Sequence, residues 1–154
     1  MARDIQLAQL IARLNNARVY DMHEVAISGV TSDSRKVEQG VLFVATKGDR
    51  SDGHSFIDGA LARGAAAVVS ERRVPVRGKP NIVVDDSTRA LAELASEFYG
   101  NPSSDLVLIG VTGTNGKTSP THLRRAICDV ATWGRGGVVG TIGHGVGARL
   151  EESA

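Results

Sequence analysis

Residues 110–119 read Gly-Val-Thr-Gly-Thr-Asn-Gly-Lys-Thr-Ser and follow directly on the apolar run Leu106-Val-Leu-Ile109. Glycines let a backbone bend and bring successive N–H groups against anionic oxygens, and a helix N-terminus favours negative charge. Lys117 adds a cationic point charge suited to the terminal phosphates of a nucleotide. The Thr118 hydroxyl is the ligand type that holds magnesium beside such phosphates. Gly113, Thr114, Asn115, Gly116, Lys117, Thr118 and Ser119 are therefore the candidate residues for binding ATP. Among them Lys117 is the candidate catalytic group and Thr118 the candidate ligand for Mg2+, whereas Asn115 more simply shapes the turn.

Such a loop works only when a strand delivers it and a helix receives it. Leu106–Ile109 predicts the strand. Leu123, Ala126, Ile127 and Val130 recur at i, i+3, i+4 and i+7, which predicts a helix with one buried face. A further apolar run, Gly137-Val-Val-Gly-Thr-Ile142, predicts the second strand of a βαβ unit. Two strands rarely make an independently stable sheet, so 104–154 reads as an incomplete ATP-binding domain, cut off within its fold and loosely held.

The preceding residues alternate strand and helix signals. Leu7, Leu10, Ile11 and Leu14 predict an amphipathic surface helix; Val25–Val30 and Val41–Ala45 predict strands. Ser55–Arg63 reads as a helix with Ser55 and Asp58 as a capping pair and Gly64 as its stop. Ala65–Ser70 and Asn81–Val84 are further strands. Ser87 is the expected cap of a helix carrying Leu91, Leu94, Ala95 and Phe98. Gly100-Asn-Pro-Ser-Ser104 has the composition of a linker. The fold class is α/β, with one domain over 1–103 and the loop-bearing domain over 104–154.

Composition removes several function classes. In 154 residues, 42% hydrophobic and 23% charged, the balance is that of a globular chain. A net charge of +1 argues against a nucleic-acid partner, and Arg72-Arg73 and Arg124-Arg125 read as solvated surface charges. No apolar stretch reaches the roughly 18 residues that span a bilayer, and the N-terminus lacks the layout of a secretory signal. The single cysteine, Cys128, has no intrachain partner and fits a reducing cytoplasm, where it reads as a packed thiol.

The loop departs from the common phosphate-binding pattern: position 111 is Val where that pattern has Gly, and glycines fall at 110, 113 and 116. Gly-Thr-Asn-Gly-Lys-Thr after Val-Thr resembles the variant of the Mur ligases and the folylpolyglutamate synthetases, which use ATP to join a carboxylate to an amine. Thr31-Ser-Asp-Ser-Arg35, Gly40-Val-Leu-Phe-Val-Ala45, Asp52-Gly-His-Ser-Phe56, Gly64-Ala-Ala-Ala-Val-Val-Ser-Glu71 and Gly140-Thr-Ile-Gly143 decide between the two. They resemble the Mur ligases, the first four their N-terminal domain, from about Val25 to Leu150. The nearest likeness is to members that add a diamino acid, meso-diaminopimelate or L-lysine, to UDP-N-acetylmuramoyl-L-alanyl-D-glutamate.

That resemblance implies a small N-terminal substrate domain over 1–103, holding the uridine diphosphate end of the substrate, and a truncated βαβ start of the central domain. It implies that Ser34 contacts the uracil-ribose portion, and that Ser32 and the segment Asp49-Arg50-Ser51 line the same pocket. From the residues alone, Asp33, Ser34 and Arg35 equally suit a solvated turn, and Arg35 suits a phosphate or a carboxylate. His54 suits either acid–base work or a structural hydrogen bond, and His144 a rim position. The family's run of threonines after Lys117-Thr118 is interrupted by Pro120, whose missing N–H has no partner in a first helical turn anyway. Its Thr-Thr-Pro segment, second magnesium site, modified lysine and C-terminal domain would lie beyond Ala154. The chain is thus expected to be a monomer that does not ligate by itself. A non-catalytic UDP-sugar-binding module or relic is the alternative, and an unrelated phosphate-loop ATPase fits less of the chain.

Overall fold

A computed structural model describes residues 4–48, 52–147, 149 and 151–152. The chain divides into two compact units, Met1–Leu106 and Val107–Ala154.

In the first unit the strands are β1 (Ile5–Gln6), β2 (Arg18–Tyr20), β3 (Ala26–Ile27), β4 (Gly29–Thr31), β5 (Val41–Val44), β6 (Ala67–Ser70) and β7 (Asn81–Val83). The helices are α1 (Leu7–Ile11), α2 (Ile57–Ala62) and α3 (Ser87–Phe98). Five strands form one sheet in the order β2-β7-β6-β5-β4, with β4 to β7 parallel and β2 antiparallel at the edge. β1 pairs separately with β3, Ile5 opposite Ile27.

Every residue of β5 and β6 is buried. That is the condition of a parallel strand covered on both faces, and it explains why these two segments read as unbroken apolar runs. Alternation along each strand then splits the core in two. Leu42, Val44, Ala67, Val69 and Ile82 pack with Leu7 and Leu10 of α1 and Ala90, Leu94 and Phe98 of α3. Phe43, Ala45 and Val68 pack with Ile57 and Ala60 of α2. The α/β expectation holds, with helices on both faces of the sheet.

The first helix is short and amphipathic, as its spacing predicts, with Leu7 and Leu10 buried and Ala8 and Gln9 exposed. Two local expectations are corrected. Asp52, not Ser55 with Asp58, caps the helical segment: a 3-10 turn over Gly53–Phe56 leads into α2, and the Asp52 carboxylate accepts the His54 N–H. Asp86, not Ser87, caps α3, its carboxylate accepting the Arg89 N–H at 2.9 Å. In both cases an aspartate upstream of the expected cap, three residues before Ser55 and one before Ser87, competes successfully, because a carboxylate is the stronger acceptor for a helix's unpaired first N–H groups.

The second unit holds α4 (Thr118–Thr132), β8 (Gly137–Val139), β9 (Gly143–Val146) and β10 (Glu151–Glu152). The strands make an antiparallel sheet in the order β10-β9-β8. Leu106–Ile109, expected as the strand before the loop, pairs with no strand among the described residues, and Val107 is 93% exposed. The apolar stripe of α4 is likewise outside: Leu123, Ile127 and Val130 are exposed, not buried as their spacing predicts. The opposite face meets the hairpin instead. Arg125 donates to the Gly147 carbonyl and lies 3.6 Å from Asp129, so it is not the solvated charge expected of it. The reason is the supply of apolar surface: a helical stripe is buried by a facing sheet, and three short strands do not provide one. Within the described residues the helix settles for polar contacts.

Candidate functional site

The carboxyl ends of β4, β5, β6 and β7 lie side by side because the strands are parallel and adjacent. In open α/β sheets this edge is where ligands bind. Ser32 and Ser34 follow β4 there, Ser32 exposed and Ser34 half-buried. Asp33 caps the 3-10 turn Ser34–Lys36, and its carboxylate accepts the Arg35 backbone N–H at 2.9 Å. It also accepts both arms of the Arg35 guanidinium, Nε at 2.9 Å and Nη2 at 2.8 Å. That fork, more than the backbone bond beside it, holds the Asp33 carboxyl down at about 2. Arg35 is therefore committed to a carboxylate, and the pair shapes the turn that presents Ser34. Asp49, Arg50 and Ser51 lie outside the described residues.

One cluster was not legible in the sequence. His54 is enclosed, its side chain 4% exposed. Its Nε2 accepts the Glu71 backbone N–H at 3.0 Å, so the ring proton sits on Nδ1, which donates to Asp52 Oδ1 at 2.6 Å. Both nitrogens are used. Of the two roles open to this histidine, the structural one is what the geometry supports. The Glu71 carboxylate in turn accepts the Ser87 hydroxyl at 2.8 Å and the Ser87 N–H at 3.2 Å. These bonds lower the Glu71 pKa, the hydroxyl contributing most; the His54 backbone N–H, then its ring N–H, lower that of Asp52. Asp52–His54–Glu71–Ser87 is thus a continuous chain of hydrogen bonds along the ends of β5, β6 and β7. Gly53 makes it possible: a Cβ there would stand 2.6 Å from the Thr46 carbonyl oxygen, which accepts the Gly53 N–H at 2.9 Å. Arg72 reaches Asp52 at 3.8 Å, and Arg73 stacks on the Tyr20 ring at 4.5 Å, so neither is a purely solvated charge.

In the second unit the loop 110–119 ends at the N-terminus of α4, with Lys117 as the cap residue and Thr118 as the first helical residue. Gly113 and Gly116 both take positive φ, +154° and +74°, conformations that exact glycine. The Lys117 ammonium folds back to donate to the carbonyls of Gly113 and Thr114. Gly113, Thr114, Asn115, Gly116, Lys117, Thr118 and Ser119 are all exposed. An open cationic loop on a helix N-terminus is compatible with an anionic phosphate and an attendant metal ion. Pro120 sits in the first turn of α4 without breaking it. His144, on β9, is exposed and lies 3.5 Å from Glu151. Cys128 is half-buried on α4.

Comparison with known proteins decides the lineage. The profile described as Mur ligase family, catalytic domain, matches residues 26–99. A protein of Aquifex aeolicus named UDP-N-acetylmuramoyl-L-alanyl-D-glutamate–2,6-diaminopimelate ligase is 47% identical over 125 residues, 80% of this chain and 25% of that protein. One of the same name from Halalkalibacterium halodurans is 43% identical over 151 residues, 96% of this chain and 30% of that protein. The chain belongs to the Mur ligase family. Among solved Mur ligases, one carrying that same name superimposes with a TM-score of 0.72 at 28% identity, over 96% of this chain and 30% of the other. MurF of Acinetobacter baumannii gives 0.67 at 26% identity, over 84% and 28%. This Mur ligase chain thus spans about a quarter to a third of the length of the relatives it matches. Among its described residues no helix is long and apolar enough to cross a membrane.

Proposed function

We propose that these residues form the substrate-holding front of an ATP-dependent amide ligase of peptidoglycan synthesis. In this reading a diamino acid, 2,6-diaminopimelate by the relatives' names, is joined to UDP-N-acetylmuramoyl-L-alanyl-D-glutamate. The observation that carries it is the polar carboxyl edge of the parallel sheet, together with those relatives. Ser34, with Ser32 beside it, hydrogen-bonds the uracil-ribose end; Asp49, Arg50 and Ser51 complete the pocket. In the other unit Lys117 and the first N–H groups of α4 hold and orient phosphate oxygens, and Thr118 ligates Mg2+. ATP, when bound there, supplies the driving force for joining a carboxylate to an amine. The setting is cytoplasmic and the partner is the nucleotide-sugar peptide.

The runner-up, a non-catalytic UDP-sugar-binding module, draws support from the contrast between a well-buried first unit and an exposed loop. Calorimetry with UDP-N-acetylmuramoyl-L-alanyl-D-glutamate and with ATP tests both. Ser34→Ala is expected to weaken the first ligand by about 1 kcal/mol, the usual loss for one hydrogen bond, and leave ATP unchanged. Lys117→Ala should do the reverse. A Ser34→Ala chain that binds the UDP substrate as tightly as the parent would remove Ser34 from the site. A parent that binds the UDP substrate but not ATP would favour the module.

A further inference from the structure

His54 lies away from the turn that bears Ser34, yet the two are mechanically joined. The ring fastens Asp52 to the backbone of Glu71 on the end of β6. Asp52 also forms an isolated antiparallel bridge with Lys47. The 3-10 turn containing His54 runs without a break into α2, and Arg63, just past that helix, donates to the Arg35 carbonyl at 3.1 Å. So one imidazole sets the start of a continuous helical element whose far end holds the Ser34 turn.

We infer that His54 is a positioning residue for nucleotide binding at this edge, acting as a latch between β6 and the β5-to-α2 connection. The inference rests on the uridine-nucleotide reading above. It gives His54 no contact with the ligand and no proton to transfer: its Nε2 is occupied as an acceptor and its Nδ1 as a donor. Toward His54 the carboxylate of Asp52 acts through one oxygen, Oδ1, which accepts from both the His54 backbone and the His54 ring, while Oδ2 faces the exposed Arg72 at 3.8 Å. An amide oxygen can do the same.

The test uses the whole 154-residue chain and UDP as the probe, titrated at a temperature where circular dichroism shows each variant folded. His54→Ala and Asp52→Ala should each weaken UDP binding about tenfold, and the double variant no more than either, because residues in one hydrogen-bonded unit are not additive. Asp52→Asn, which keeps the accepting oxygen, should bind within about threefold of the parent. A purely architectural histidine would lower the melting temperature in the first two variants and leave UDP affinity at the parent's value; that result, with Ser34→Ala still weakened, overturns the latch alone. A parent that fails to bind UDP overturns the substrate reading and the latch with it. Should His54→Ala fail to fold, nitrogen NMR of the parent decides. The expected spectrum has His54 protonated at Nδ1 only, with ring signals that shift on adding UDP; a ring protonated at Nε2, or signals unmoved at saturation, overturns the inference.

Discussion

Two apolar runs of equal length meet opposite fates in this molecule. Val41–Val44 is buried throughout, with Leu42, Phe43 and Val44 at zero exposure, whereas Leu106–Ile109 is exposed from end to end. Their compositions are nearly interchangeable. What separates them is partners: β5 has β4 on one side and β6 on the other, and helices on both faces. Leu106–Ile109 pairs with no strand among the described residues. Apolar character therefore licenses a strand without producing one, since backbone pairing and facing surface must both be available to offset chain entropy.

Hydrogen exchange puts the largest expected effect on that contrast. Amides of β5 and β6 should open only with the whole first unit, while those of 107–117 exchange nearly freely, a ratio of about a thousandfold or more. Equal protection in both would erase the distinction drawn between the units. Truncation sharpens it at single residues. Phe43→Ala removes a fully buried ring and should cost about 3–5 kcal/mol in denaturant unfolding, against roughly 0.5 kcal/mol or less for Leu108→Ala. A comparable loss at Leu108 would mean that the run is packed.

Gly53→Ala probes the close approach beneath the latch. With a Cβ 2.6 Å from a backbone oxygen the turn must shift, for an expected loss of about 1–3 kcal/mol. A variant as stable as the parent would show that the Thr46 backbone gives way at no cost. The smallest effect is electrostatic. Glu71 has its pKa lowered below the ordinary 4.5 by the Ser87 hydroxyl and N–H. The unfolded chain therefore takes up its proton first as pH falls. The Glu71–Ser87 contribution is fully present above pH 4.5 and fades as pH drops below that value. Glu71→Gln should remove that part of the acid sensitivity, detected as a flatter melting temperature across the acid limb. An unchanged slope would assign the acid loss to Asp33, Asp52 or other carboxylates.

The loop and the polar edge differ in how far they could be read in advance. Gly113, Gly116, Lys117 and Thr118 are neighbours in sequence, and their chemistry depends on local backbone conformation, so type and spacing sufficed to single them out. The α/β class and most strands of the first unit followed in the same way from apolar runs and their breaks. Asp52, His54, Glu71 and Ser87 carry no such mark. They come together because the parallel β5-α2-β6 crossover and the parallel β6–β7 pairing bring three strand ends to one edge, an event that joins residues up to 35 positions apart.

Caps and exposed faces were decided at the same level. Ser55 and Ser87 each satisfied the local rule for a helix start, but Asp52 and Asp86 took the unpaired N–H groups, freeing Ser87 to bind Glu71. The periodicity of Leu123, Ala126, Ile127 and Val130 did announce a helix, because 3.6-residue repetition is a property of the chain itself. Which face that helix hides is a property of its surroundings. The sequence by itself determined that α4 forms and that Lys117 stands at its start; only the tertiary structure decided that its apolar stripe lies open, since burial needs a second surface and the chain's own pattern cannot supply one.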